Sequence, residues 1–224
     1  MAAAGLRPVV NLYSTFSQRA LDQWIHDVAL QKLPVILCLD RAGMVGEDGA
    51  THHGVFDLAM FRAVPHTAIW APRDGHALRE ALEEALAYGG PSIIRYPKGA
   101  APRYPEPLQR RGGMDWMQSG TGIAHFGLGS ALRQALAAAK PSESVIDLRR
   151  AKPMDPNSLH YFARNHHTWH VWEDAQAING VGQALGCWLL ENGYGHIALH
   201  RHGYRDQFVD HAPREAQMAS AKRT

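Results

Sequence analysis

Cysteine, net charge and long apolar runs are all scarce in this 224-residue chain, and each scarcity argues against a class of protein. The two cysteines, Cys38 and Cys187, lack the spacing of a zinc site or a disulfide framework, so we expect both to be reduced. No run approaches the roughly 18 apolar residues of a membrane span. The start of the sequence lacks the charged and apolar regions of a signal peptide. These absences favour a cytoplasmic protein without a membrane partner.

Basic charge is neither abundant nor clustered. The chain carries 23 Lys and Arg against 21 Asp and Glu, and the first 120 residues hold 12 of each. A nucleic-acid-binding domain concentrates its basic residues on one face. The sequence therefore predicts no nucleic-acid partner, and its 46% apolar share is typical of a globular protein.

Short apolar runs alternate with helical patterns along the chain. They predict strands at 8–13, 35–39, 66–70, 92–96, 123–126, 144–148, 168–172 and 197–199. Strands that alternate with helices indicate an α/β fold with two parallel-sheet units. Prolines and glycines predict a linker at 102–120, between a first domain at 1–101 and a second at 121–224. We expect the small, basic tail at 216–224 to fray.

The segment Asp40–Gly54 gathers more chemically useful groups than any other. It follows the apolar run 35–39, and ligands of parallel sheets lie outside the carboxyl ends of strands. Arg41 can bind a phosphate or carboxylate there, or can pair with Glu47 or Asp48 within the loop. Asp48 and His52 can point into one pocket as proton-transfer groups, or can form an Asx-turn and a surface histidine.

An aromatic and basic group lies at the first strand-to-helix junction. Tyr13, Phe16 and Arg19 recur every three residues and so share one side of a helical turn. They can stack a flat heterocycle at the strand's carboxyl end. Equally, Phe16 can pack in the core and Arg19 can form a surface pair.

Two other patterns carry weaker signals. His52-His53 and His166-His167 with His170 lack accompanying cysteine or carboxylate spacing, so we predict no metal site. The segment Gly127-Leu-Gly-Ser130 resembles a phosphate-cradling turn but lacks the complete G-x-G-x-x-G pattern, which favours an ordinary turn.

Together these segments resemble 1-deoxy-D-xylulose-5-phosphate synthases, a family of transketolase-like enzymes. The resemblance is dense over 5–99, in Tyr13-Ser-Thr-Phe-Ser-Gln-Arg-Ala20, Asp40-Arg-Ala-Gly43, Gly46-Glu-Asp-Gly49, Thr51-His-His-Gly-Val-Phe-Asp-Leu58 and Gly90-Pro-Ser-Ile-Ile-Arg-Tyr-Pro-Lys-Gly99. It is looser over 121–212, in Lys152-Pro-Met-Asp155, Val171-Trp-Glu-Asp174 and Gly180-Val-Gly182.

The resemblance implies a truncated transketolase-like pyrimidine-binding domain followed by a transketolase C-terminal-like domain. The family condenses pyruvate with glyceraldehyde 3-phosphate, with loss of CO2, for isoprenoid precursors, and uses thiamine diphosphate and Mg2+. By resemblance, Phe16 would stack on the cofactor's aminopyrimidine ring, and Tyr13 and Arg19 would line the same pocket.

The substrate residues also follow from the resemblance. Arg41 would bind the phosphate of the aldehyde, and Asp48 and His52 would be catalytic residues that contact the substrate. Lys98, where the family usually has arginine, would be a second phosphate contact. Lysine keeps the charge but loses the bidentate fork of arginine.

Two family features are expected to be missing. One is the Gly-Asp-Gly motif that binds the diphosphate and Mg2+, and the other is the glutamate that bonds the pyrimidine ring. We therefore expect the chain to be inactive alone, and to associate as a homodimer or with an N-terminal synthase half. The alternative is a non-catalytic remnant that acts as an interaction or dimerisation module.

Overall fold

Strands with parallel neighbours form the framework of both halves of the chain. The computed structural model describes residues 1–220. The strands are β1 (Val9–Tyr13), β2 (Ile36–Asp40), β3 (Ala68–Trp70), β4 (Ser92–Arg95), β5 (Gln109–Arg111), β6 (Met114–Gln118), β7 (Gly122–Leu128), β8 (Ser144–Asp147), β9 (Arg150–Lys152), β10 (His166–Gln176) and β11 (Ala198–Tyr204).

The helices lie between these strands. They are α1 (Leu21–Gln23), α2 (Asp57–Phe61), α3 (Gly75–Tyr88), α4 (Leu132–Ala138), α5 (Pro156–Asn165), α6 (Val181–Glu191) and α7 (Arg214–Ser220). A 3-10 segment (Ser14–Ala20) and a π-type segment (Trp24–Ala29) flank α1, and another 3-10 turn spans Gly46–Asp48. Within residues 1–220, no helix has the length and apolar content to cross a membrane.

The first sheet has the strand order β1-β2-β4-β3-β9. Strands β1 to β4 are parallel, and β9 joins β3 in the antiparallel direction. The carboxyl ends of β1, β2 and β4 therefore meet at one edge of the sheet. Tyr13 pairs with Asp40 in this register, so the first aromatic residue lies beside the start of the glycine-rich loop.

The second sheet has the order β11-β10-β7-β8-β6-β5. Its first four strands are parallel, whereas β6 and β5 continue the sheet in the antiparallel direction. The two predicted parallel α/β units are thus present. Both contribute to one hydrophobic cluster, in which Phe61 of the first half and Trp169 of the second are fully buried.

Polar contacts also join the halves. Arg73 Nη1 donates to Asp115 Oδ2 at 2.6 Å and to Asp147 Oδ2 at 2.9 Å. All three side chains are buried, so each charge is compensated where water is excluded. Together with β9, this pairing fixes the second unit against the first sheet.

Local sequence signals account for the major helix boundaries. Asp74 caps α3 because its Oδ1 accepts from Ala77 N at 2.8 Å. Gly89, in the left-handed conformation, ends that helix. Asp155 caps α5 in the same way, and Pro156 occupies the first turn, where no N–H is needed.

The region expected to be a linker, 102–120, contains β5 and β6. Gly112 and Gly113 have positive φ angles of 54° and 82° and form the turn of a hairpin between these strands. Trp116 of β6 packs edge-on against Tyr161 and Phe162, which holds the hairpin on the second unit. β5 is short and polar, and the prolines and glycines around both strands favoured a linker.

The tail also differs from the expectation of fraying. Residues 214–220 form α7, and Gln217 on this helix is buried. The remainder of the predicted frayed tail, 221–224, lies outside the described residues.

Candidate active-site wall

The glycine-rich loop begins at the end of β2 and is closed by its own backbone. Arg41 has a φ of 59°, in the left-handed region, and its N–H donates to Asp40 Oδ1 at 2.7 Å. Gly43 and Gly54 exchange two backbone hydrogen bonds, of 2.8 and 2.9 Å. A Cβ on Gly54 would overlap the carbonyl oxygen of Arg41, so this close approach requires glycine. The loop therefore forms a defined projection from the sheet.

Two cations converge on one carboxylate at the tip of this loop. Arg41 Nη1 donates to Asp48 Oδ2 at 3.0 Å, and Lys98 Nζ donates to the same oxygen at 2.7 Å. The hydrogen bond from Lys98 lowers the pKa of the Asp48 carboxyl group most strongly, and the nearby charge of Arg41 adds to the effect. Arg41 Nε is buried without a hydrogen-bond partner among the described residues. Arg41 thus forms the ion pair within the loop that the sequence allowed as its alternative, while the exposed ammonium group of Lys98 keeps N–H donors for a further anion.

An aromatic shelf lies next to the cations. The rings of Tyr13 and Phe16 stack with centroids 5.6 Å apart, and the Arg41 guanidinium lies 4.3 Å from the Tyr13 ring centroid. Arg19 lies 5.9 Å from the Phe16 centroid on the same shelf. Phe16 keeps 38% of its surface exposed, although core packing was one reading of the sequence. An exposed ring beside a guanidinium can stack a flat heterocycle.

His52 joins the loop to this shelf. Its ring meets the Phe16 ring edge-to-face at 5.4 Å, and its Nδ1 is 2.9 Å from Thr51 Oγ1. Thr15 Oγ1 donates to the Thr51 carbonyl oxygen at 3.1 Å, which ties the loop to the segment after β1. The structure thus brings together all seven residues singled out in the sequence, namely Tyr13, Phe16, Arg19, Arg41, Asp48, His52 and Lys98.

His53 and His166 lie in buried hydrogen-bond networks. His53 is buried, where its Nδ1 accepts from Val45 N and its Nε2 lies 3.0 Å from Val209 O, and burial lowers its pKa. His166 Nε2 lies 2.9 Å from Ser144 Oγ in the second unit. Among residues 1–220, no group of three or more His, Cys, Asp or Glu side chains can hold a metal ion.

The sequence reasoning missed the side chains that hold the loop from the second unit. Asp174 accepts a hydrogen bond from Met44 N, and Gln217 bonds to both the N–H and the carbonyl of Gly46. One signal was available for Asp174, because its carboxylate follows the buried centre of β10 towards the carboxyl end of that strand. Gln217 lies in the tail and carried no signal.

Comparisons with protein families also divide the chain into two domains, which follow the order of the two sheets. Residues 1–103 match the family model of the transketolase pyrimidine-binding domain, and residues 112–224 match that of the transketolase C-terminal domain. These matches, with the two sheets described above, confirm the predicted fold class.

Relatives of similar sequence carry the name 1-deoxy-D-xylulose-5-phosphate synthase. The protein from Campylobacter fetus is 37% identical over 218 residues, which cover 94% of this chain and 36% of the relative. The protein from Thermus thermophilus is 45% identical over 190 residues, which cover 83% of this chain and 31% of the relative. The chain thus spans about a third of the length of these relatives.

Solved structures agree with this assignment. A protein described as a split-gene transketolase, an inactive beta4 tetramer, superposes with a TM-score of 0.87 at 26% identity, covering 98% of this chain and 73% of that one. A transketolase from Campylobacter jejuni has the same fold, with a TM-score of 0.75 at 18% identity, covering 96% of this chain and 33% of that one. The chain therefore belongs to the transketolase family, with pyrimidine-binding and C-terminal domains similar to those of 1-deoxy-D-xylulose-5-phosphate synthases.

Proposed function

We propose that this chain is the C-terminal part of a 1-deoxy-D-xylulose-5-phosphate synthase-like enzyme. In this role it contributes one wall of the site that condenses pyruvate with glyceraldehyde 3-phosphate. The observation that carries the proposal is the convergence of Arg41 and Lys98 on Asp48, beside the shelf formed by Tyr13 and Phe16. Cations at the end of a parallel strand suit the phosphate of the acceptor.

The shelf fits part of the family's cofactor. Phe16 presents an exposed ring face, and Tyr13 and Arg19 border it, so the three residues would hold the aminopyrimidine of thiamine diphosphate. When bound, the cofactor supplies the nucleophilic carbon with which the family breaks and forms carbon–carbon bonds. Among residues 1–220 no group of three or more His, Cys, Asp or Glu side chains could hold a metal ion, so we assign Mg2+ no ligand among these residues.

Within this wall each side chain has a separate task. Arg41 and Lys98 would orient the acceptor through its phosphate, which brings the aldehyde to the reacting centre in a fixed geometry. His52 lies next to the shelf, where it would donate or accept protons of the substrates. Asp48, held ionised by Arg41 and Lys98, would contact the substrates as a hydrogen-bond acceptor. The opposite wall of the site would come from an N-terminal synthase half.

The phosphate contact is tested by comparing two acceptors. Titration calorimetry with the purified chain should show that glyceraldehyde 3-phosphate binds at least tenfold more tightly than glyceraldehyde. Arg41→Gln should abolish this preference, because it removes a charge-assisted contact of about 1.5–3 kcal/mol. Equal affinities of the unmodified chain for both aldehydes would count against phosphate binding by Arg41 and Lys98.

A second candidate function is a non-catalytic interaction module. It is favoured by β1, which among residues 1–220 is an edge strand of the first sheet, and in which Val9 and Val10 keep 55% and 40% of their surfaces exposed. An open strand edge with apolar side chains is a template for pairing with another chain. A chain that binds a synthase but no phosphorylated aldehyde would support this function instead.

A further inference from the structure

Asp174, in the second unit, lies directly beneath the loop that carries Arg41 and Asp48. It belongs to β10, and only 2% of its surface is exposed. Its Oδ1 accepts from Met44 N at 3.2 Å and from the Tyr204 hydroxyl. Its Oδ2 accepts from Ser130 Oγ at 2.8 Å and from Arg214 Nη2 at 2.6 Å. A buried carboxylate with this set of donors has one favourable position, because any displacement leaves a donor or the charge unpaired.

The ion pair of Asp174 and Arg214 holds the loop backbone at Met44. While Nη2 of Arg214 bonds to the carboxylate, its Nε donates to the carbonyl oxygen of Met44 at 2.8 Å. The N–H and the carbonyl of Met44 are therefore both held by side chains of the second unit. The loop fits closely here, since a Cβ on Gly43 would overlap the Asp174 carboxylate.

Gln217 forms hydrogen bonds to the loop backbone at Gly46, two residues after Met44. Its Oε1 accepts from Gly46 N at 3.0 Å, and its Nε2 donates to Gly46 O at 2.8 Å. The side chain is 1% exposed and also donates to Asp210 O at 2.8 Å. Met44 and Gly46 are thus each held through both backbone polar groups, as a neighbouring strand would hold them.

The turn that follows Met44 and begins at Gly46 carries Asp48, the carboxylate that holds the two anion-binding cations in place. Gly46–Asp48 is a 3-10 turn, and Asp48 at its end receives Arg41 and Lys98. Without the hydrogen bonds to Met44 and Gly46, the loop would have to become ordered each time an anion binds, and the entropy cost of that ordering would reduce the affinity for the anion. The second unit thereby supports a site whose binding residues all belong to the first.

We propose that Asp174 is a positioning residue for the phosphate-binding loop, acting with Arg214 and Gln217. The inference rests on the proposed function, because it assigns Asp174 to the geometry of the phosphate site. It extends that function by making the C-terminal domain a determinant of acceptor binding. A purely structural role would instead affect the stability of the whole chain and leave the loop and the anion affinity unchanged.

The test compares Asp174→Asn with Asp115→Asn in the full chain. Both carboxylates are buried and both join the two units, but Asp115 pairs with Arg73 and Arg110, away from the loop. Two quantities are measured, namely hydrogen exchange of the amides in 43–54 and the affinity for inorganic phosphate at constant ionic strength. Asp174→Asn should speed loop exchange at least tenfold and weaken phosphate binding 5- to 30-fold. Asp115→Asn should lower the melting temperature but change both quantities less than twofold.

A second variant keeps the test decisive if Asp174→Asn does not fold. Gln217→Ala removes the two hydrogen bonds to Gly46 and leaves the Asp174–Arg214 ion pair intact. It should therefore also speed loop exchange and weaken phosphate binding, each by about half as much on a logarithmic scale. Unchanged loop exchange and phosphate affinity in both Asp174→Asn and Gln217→Ala would overturn the proposal, as would equal effects from Asp115→Asn. If the unmodified chain binds no phosphate, the proposed function fails, whereas faster loop exchange still supports the positioning role.

Discussion

Under the proposed function, Lys98 is one of the two cations that would hold the phosphate of the substrate. Its Nζ is shared with Asp48, and a lysine offers a point charge rather than a bidentate fork. We predict that Lys98→Arg strengthens inorganic phosphate binding about two- to fivefold, and that Lys98→Met weakens it about tenfold, as expected for one charge-assisted contact. Titration calorimetry at constant ionic strength measures both changes. Lys140→Met, on an exposed surface, is the control, and a Lys98→Met variant that matches it would refute the assignment.

Gly43 is the position where the loop and the second unit approach most closely. Gly43→Ala combines an unfavourable φ of 83° with overlap of the Asp174 carboxylate, so we predict a loss of about 2–4 kcal/mol in the free energy of unfolding. Gly193→Ala is the matched control, because Gly193 has a φ of 80° but open space around its Cβ position. It should cost only about 1–2 kcal/mol. Urea denaturation gives both values, and equal losses would mean that the Asp174 contact is unimportant.

The sequence singled out the residues of the candidate site, but it did not indicate their contacts. The strand run before Asp40 and the resemblance pointed to Arg41, Asp48 and His52 before any geometry was known. The contact between His53 and Val209 had no local signal. The two residues are 156 positions apart, and a pattern confined to neighbouring residues does not specify such a contact.

A stack of histidines crosses three strands of the second sheet, at the scale of structural elements. His125, His170 and His200 lie in register on β7, β10 and β11, with ring centroids 4.7 and 4.6 Å apart. His202 is also hydrogen-bonded to His170, and Glu143 pairs with His125. Burial, and then the neighbouring histidines, lower the pKa of His170 from 6.5 to about 4.

This shift makes stability depend on pH in a defined direction. Between pH 6.5 and about 4 the unfolded chain binds a proton at position 170 more readily than the folded chain, so stability falls as the pH falls through this window. We predict that His170→Phe, which keeps a ring in the stack, reduces the drop in urea midpoint between pH 7 and pH 5. His167→Phe, at an exposed position of the same strand, should leave the drop unchanged. A drop of the original size in His170→Phe would contradict this account.

The edge of β1 should drive association of the isolated chain. We predict that sedimentation at micromolar concentration shows dimers or larger species, and that Val10→Lys shifts the chain towards monomer, because a charge at a strand edge opposes pairing. Leu190→Lys is the control, since Leu190 is an exposed apolar residue of α6 and not of a strand edge. A clean monomer of the unmodified chain would argue against an associating edge.

Strands with a strong apolar pattern were predictable from the sequence, whereas strands that depend on hydrogen bonds to a partner strand were not. The runs that became β2, β4 and β8 are aliphatic and bounded by turn residues. The strands β5 and β9 are short, polar and stabilised by antiparallel partners, so nothing in their own sequence distinguished them from loop. Helix α7 escaped notice for the same reason, because Gln217 gains its importance only against Gly46.

Contacts between the two units of the molecule include the loop of the candidate site. The buried contacts of Arg73 join them at one place, and Asp174 and Arg214 join them at the loop. The resemblance predicted the order of the two units. It did not predict that Asp174 and Arg214 of the second unit form hydrogen bonds to the loop, since those contacts depend on how the sheets pack.

Mixing the chain with an N-terminal synthase half and measuring CO2 release from pyruvate tests whether the chain completes a synthase active site. Thiamine diphosphate, Mg2+ and glyceraldehyde 3-phosphate are present, and sedimentation establishes that the two chains form a complex. We predict release at least 100-fold above that of either chain alone, and a loss of about 10²–10⁴ in His52→Ala, as for a positioned acid–base group. A complex that releases no more CO2 than its separate chains, or a single chain as active as the mixture, would contradict the account.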